Sequence, residues 1–112
     1  MSNPNKAKGT RWESAVAQLL QDYGFDVWRM AQTGEFDQGD LGGLPEFAFE
    51  CRDRAKLDLA GNVKDANNRA AAKRSKYGVA VMKARGKKTG DGYVVMDLDT
   101  FAQLLQDLYD RT

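Results

Sequence analysis

Histidine is absent from this chain and cysteine occurs once, at Cys51. Without an imidazole there can be no serine-histidine triad, no histidine general base and no histidine-ligated metal. One thiol excludes an intramolecular disulfide and a thiolate zinc cluster. Long apolar runs are missing as well. None approaches the roughly 18 residues needed to cross a bilayer, and Met1 to Lys8 lacks the apolar block of a secretion signal. A cytoplasmic protein with no membrane partner is therefore expected. Any chemistry must fall to carboxylates, Lys, Arg, Tyr or the backbone, and that oxygen-rich inventory suits a hard cation such as Mg²⁺ better than zinc.

What is present argues for a folded domain. The chain has 112 residues, 42% of them hydrophobic, with two Trp, four Tyr and five Phe, enough for one core and too little for two. The expected organisation is a flexible tail over residues 1–9 and a single domain over 10–112. A net charge of +1 conceals a segregation: residues 52–91 hold twelve Lys and Arg against four Asp and Glu, while the segments on either side are acidic. So basic a middle third suggests a polyanionic partner, nucleic acid above all. The plainer alternative is a solvated, lysine-rich surface.

Hydrophobic spacing divides the chain into elements. Thr10-Arg11-Trp12-Glu13 has the spacing of a capping box, and Trp12, Val16, Leu19, Leu20 and Tyr23 follow at helical intervals up to Gly24. Phe25 to Met30 predicts a strand, Ala31 to Phe36 a turn, a short second strand lies near Asp40-Leu41, and Glu46 to Arg52 predicts a third. A helix is expected between Lys56 and Ser75, capped by Asp58. Gly78 to Lys83 reads as a buried strand, Ala84 to Gly92 as a glycine-rich charged loop, and Tyr93 to Leu98 as a fifth strand. Asp99 would cap a last helix turning Phe101, Leu104, Leu105 and Leu108 to the core. The fold class is α/β, a mixed central sheet flanked by helices in the order αβββαββα.

The chemistry concentrates between Asp37 and Arg52. Successive strand residues face opposite ways, so Glu50 and Arg52 project with Ala48, and Phe47, Phe49 and Cys51 project to the other, apolar side. A carboxylate and a guanidinium on one face suit a solvent-filled cleft, in which Asp40 and Glu50 would grip a divalent cation and the Cys51 carbonyl would add a ligand. Arg52, about 6.5–7 Å along the strand from Glu50, would reach a phosphate oxygen. Each residue also has a plainer role open to it. Asp40 suits a glycine-flanked turn, Glu50 and Arg52 could form an ordinary salt bridge, and Cys51 is most simply a small buried side chain. Glu13 could close a capping box or complete the metal shell. Asp37 competes with Asp40 as first ligand but stands farther from Glu50. Trp12 and Trp28 are expected in the core.

Taken together, Glu13, Asp40, Glu50 and Arg52, with Gly39-Asp40-Leu41-Gly42-Gly43 and Glu50-Cys51-Arg52 in their element order, resemble the PD-(D/E)xK nucleases over roughly residues 8–108. The likeness is to small archaeal and phage Holliday-junction resolvases and related phage endonucleases. It implies a restriction-endonuclease-like fold and a Mg²⁺-dependent DNA endonuclease, with Mn²⁺ able to substitute. Its substrate would be four-way or other branched DNA, cut by a homodimer in a bacterium or a phage-infected host cell. Glu13, Asp40, Glu50 and Arg52 would be catalytic, Asp40, Glu50 and Cys51 would hold the metal, and Lys56, Arg69, Lys73, Lys83, Arg85, Lys87 and Lys88 would contact DNA. The family has lysine where this chain has Arg52. Arginine keeps its proton, so it can stabilise a phosphate but cannot act as a base; that leaves a slow or silent enzyme, or a role for Lys56 reaching in. The alternatives are a repair or restriction-type nuclease, or a catalytically weak DNA-binding module on the same scaffold.

Overall fold

The computed structural model describes residues 4–30 and 40–110. Helix α1 runs Pro4–Asp22, strands β1 and β2 are Trp28–Arg29 and Leu41–Gly42, and β3 is Phe47–Arg52. Helix α2 is Leu59–Lys73, β4 is Tyr77–Met82, a 3-10 turn occupies Thr89–Asp91, β5 is Tyr93–Val95, and α3 is Leu98–Tyr109. The expected element order holds, but the strands fall into two sheets rather than one. β1 and β2 form an antiparallel pair, and β3, β4 and β5 form a mixed sheet in that order, with β3 parallel to β4 and β4 antiparallel to β5. The predicted turn over 31–36, and Asp37, lie outside the described residues.

β3 divides the domain into two layers. Its apolar side, Phe49 and Cys51, joins Val79 and Val81 of β4 against Trp12, Val16 and Ala17 of α1, with Val27 and Leu41 closing the cluster. The Trp12 indole donates to the Val81 carbonyl at 2.9 Å, which satisfies its N–H inside the core. The other side meets α2 through small residues, Ala48 and Ala80 on the sheet and Ala66 and Ala70 on the helix, all buried. At Gly78 a Cβ would stand 2.5 Å from the Ala66 carbonyl oxygen, so only glycine lets α2 lie this close. The polar face of β3 is thus roofed by α2 and is not the open side of a cleft.

Local signals fix several ends. Asp58 caps α2, its carboxylate accepting the Gly61 N–H at 3.0 Å, as expected. Gly24, at φ +99°, ends α1, where Phe25 N–H donates to Leu20 and Gly24 N–H to Gln21. Other expectations are corrected. Residues 4–9 are already helical in α1, Pro4–Asp22, rather than part of a tail, and Thr10 with Glu13 lies inside the helix instead of boxing its start. Asp97, not Asp99, caps α3. Its carboxylate accepts the Thr100 N–H at 3.1 Å and hydroxyl at 2.6 Å. The first strand shrinks to two residues and leaves Trp28 half exposed.

The largest departure is α3. Leu98, Phe101, Leu105 and Leu108 remain exposed, and only Thr100 of the helix is buried. Polar ties fasten the helix instead. Asn67 donates to Asp97 at 3.0 Å, the Tyr77 hydroxyl donates to Asp107, and Lys76 lies 3.5 Å from the same carboxylate.

Candidate active site

Three segments bring the expected site residues together. Asp40 directly precedes β2 and is stitched into the fold by its backbone: its N–H donates to the Phe49 carbonyl at 2.9 Å and its own carbonyl accepts from Met30 N–H at 2.8 Å. That lays Asp40 along the edge of β3 opposite β4, where its Oδ2 accepts the Cys51 N–H at 2.5 Å. Strand alternation then turns Glu50 and Arg52 to the α2 side. Asp40 and Glu50 are 2% and 1% exposed.

The metal ligands expected from sequence, Asp40, Glu50 and the Cys51 carbonyl, do converge. They meet at Nη1 of Arg52, which lies 2.6 Å from Glu50 Oε1, 3.0 Å from the Cys51 carbonyl oxygen and 3.9 Å from Asp40 Oδ2. The two carboxylate oxygens can therefore be no farther apart than the sum of 2.6 and 3.9 Å. Oxygen donors of this kind, two carboxylates and a carbonyl gathered round one positive charge, fit a hard divalent cation. Among the described residues no three His, Cys, Asp or Glu side chains cluster closely enough for a metal on their own; the third donor here is a backbone carbonyl.

Glu13 has its own partner, although its charge still bears on Asp40. It is buried on α1, and Arg29 of β1 donates to it at 3.2 Å. Glu50 has a second partner that sequence spacing does not suggest, Arg69 of α2, whose Nε lies 3.0 Å from Oε2. Asp65, one helical turn before Arg69, lies 3.5 Å from Arg52 Nη2. An acid and a base four apart on a helix share a face, which is the trace these two leave in the sequence.

Charge follows from burial. Burial pushes the Asp40 carboxyl up to about 7; the Cys51 N–H works against that rise, Glu50 and Glu13 add to it, and Arg52 opposes it. Burial also pushes the Cys51 thiol well up, with Asp40 contributing, so Cys51 is a neutral core residue, as its plainer role predicts. For Arg52, burial disfavours the charge, but Glu50, then Asp40 and Asp65, hold the guanidinium protonated above its ordinary range.

The expected DNA contacts divide. Arg69 and Lys73 have partners within the chain: Arg69 grips Glu50, and Lys73 donates to the Phe47 carbonyl at 2.7 Å, its pKa lowered by burial. They point inward because the small residues of α2 draw this face of the helix onto the sheet. Lys56 is exposed in the loop between β3 and α2. Lys83, Arg85, Lys87 and Lys88 line a cleft of about 490 Å³, joined there by Lys8 and Arg11 of α1. Neither the apolar stripe of α1 nor its capping-box spacing points to these last two. Asp53 is the cleft's acid, 2.9 Å from Arg85 and 4.0 Å from Lys83. It directly follows Arg52 in the chain, but Asp40, Glu50 and Arg52 themselves do not line this cleft.

Comparison with known proteins adds no relative: no protein-family model, curated protein or solved structure matches this chain.

Proposed function

We propose that the chain is a metal-dependent DNA endonuclease of the PD-(D/E)xK type, acting on branched DNA such as a four-way junction. The observation that carries this reading is the meeting of Asp40 Oδ2, Glu50 Oε1 and the Cys51 carbonyl on a single cation at the end of β3, in a chain that also has a cleft lined by six basic residues. Asp40, Glu50 and the Cys51 carbonyl would hold Mg²⁺ or Mn²⁺. When bound, such an ion supplies Lewis-acid stabilisation of the phosphate under attack. Arg52 keeps its proton and stabilises charge on the phosphate oxygens, so the attacking water gives its proton to solvent or to the substrate phosphate. Lys8, Arg11, Lys83, Arg85, Lys87 and Lys88 hold the backbone without reading sequence, an affinity that falls steeply with salt. The restriction-endonuclease-like description of the fold and a cytoplasmic site of action in a bacterium or phage-infected cell belong to the same proposal.

Two coordinated nicks on a four-way junction call for a homodimer. The exposed apolar face of α3 is the surface proposed for that contact. Residues 92–112 carry four acids against one base, so this end of the chain repels nucleic acid and favours a protein neighbour.

A labelled junction and a linear duplex, each incubated with Mg²⁺ or EDTA, test the function. Paired, metal-dependent nicks on the junction are expected, lost in Asp40→Asn and Glu50→Gln while DNA binding persists or tightens. Salt-sensitive binding with no cutting would instead favour a DNA-binding module, the reading that Arg52 closing on both acids supports. If neither binding nor cutting occurs, the proposal fails.

A further inference from the structure

Two buried carboxylates side by side are not stable without a positive charge between them, because desolvation and mutual repulsion both oppose their ionisation. Arg52 supplies that charge from within the chain, and it occupies the meeting point of the oxygens assigned to the divalent cation. Both cannot be held there at once. The guanidinium has somewhere else to go. It sits on the last residue of β3, its side chain is 21% exposed, and Nη2 already reaches toward Asp65, whose own side chain is 51% exposed. Arg69 grips the other oxygen of Glu50, so Glu50 stays oriented if Arg52 leaves.

We propose that Arg52 is an exchangeable internal counter-ion: it closes the acid pair in the metal-free protein and yields Asp40 and Glu50 to an arriving divalent cation, turning toward Asp65 of α2. The inference rests on the metal site of the proposed nuclease. It assigns Arg52 two positions, one guarding the buried acids and one available to a DNA phosphate. It also explains how arginine can stand where a lysine is expected. A planar guanidinium spans several oxygens at once, as a compact ammonium cannot.

The exchange predicts that Arg52 weakens metal binding. Calorimetric titration of Ca²⁺ or Mn²⁺ into the full chain without DNA should show Arg52→Gln binding at least tenfold tighter than the unaltered protein, with Arg52→Lys between them. In the unaltered protein, the Arg52 guanidinium resonances, assigned by their loss in Arg52→Lys, should move toward those of a solvent-exposed arginine as Ca²⁺ saturates. That spectrum keeps the test open if Arg52→Gln fails to fold. Metal binding that is equal or weaker in Arg52→Gln, or guanidinium resonances that ignore saturating Ca²⁺, would overturn the exchange and leave the metal-dependent reading standing. Absence of divalent binding in all three proteins would overturn both.

Discussion

Helix α2 meets the sheet with alanine and asparagine, whereas α3 carries leucine and phenylalanine along one side that stays largely in solvent. Ala66 and Ala70 are buried against Ala48, Gly78 and Ala80, while Leu98 and Leu108 of α3 are 79% and 50% exposed. The strength of an amphipathic pattern therefore does not predict how well a helix is packed here. Small side chains on both partners let backbones approach and bring the flanking Asp65, Arg69 and Lys73 over the polar face of β3. α3 finds no such flat, small-residue surface, and it is held by its cap and by ties to Asp107.

This contrast can be broken most severely at α2. Gly78→Val places a branched side chain against the Ala66 backbone and should cost about 3 kcal/mol by overpacking, read from the urea midpoint. Because α2 carries Arg69 and Asp65, the same change should also disorganise the acid pair. A midpoint close to the unaltered protein would show that α2 can withdraw cheaply, and the account of the site would lose its basis.

A smaller effect is expected at the cap of α3. Asp97→Ala should cost about 1 kcal/mol at neutral pH. The Thr100 hydroxyl, then Asn67 and the Thr100 N–H, hold the Asp97 carboxyl down from 3.8 to about 2. A carboxyl with a lowered folded pKa stabilises the fold above its ordinary value and loses that contribution as pH falls through the lowered one. The difference between the two proteins should therefore be full above about pH 4 and shrink between pH 4 and 2. Urea midpoints at pH 6, 4 and 2.5 measure it, and a difference independent of pH would mean that the carboxylate is not what holds α3.

The smallest effect on stability belongs to the exposed face. Leu98→Lys with Leu108→Lys should change the stability of the monomer by no more than about 0.5 kcal/mol, measured at low protein concentration, while light scattering should show the loss of the proposed dimer. A loss of several kcal/mol in the monomer would mean that this face is core after all.

Much of the fold was legible because its signals are local. Gly24 stops a helix, Asp58 caps one, and alternation along Phe47 to Arg52 sorts polar from apolar. Failures came where a local signal had a competitor. Asp97 and Asp99 are both suitable caps, and the extended backbone of Asp97 together with Asn67 decides between them. Thr10 and Glu13 have capping-box spacing, but the chain is already helical from Pro4. Of the site, the meeting of Asp40 with the Glu50 strand could be anticipated from residue types. The pairing of Arg29 with Glu13 and of Arg69 with Glu50 could not, since basic residues in a basic segment look alike until something covers them.

By itself the sequence determined the residue types available for chemistry, the order of its helices and strands, and which side of β3 is polar, because composition and periodicity act over a few residues. Only the tertiary structure decided that α2 would roof that polar side and that Arg52 and Arg69 would close on Glu50. Periodicity says which way a side chain faces. What it faces depends on how nearly two distant backbones can approach, and here that distance is set by Gly78 and four alanines.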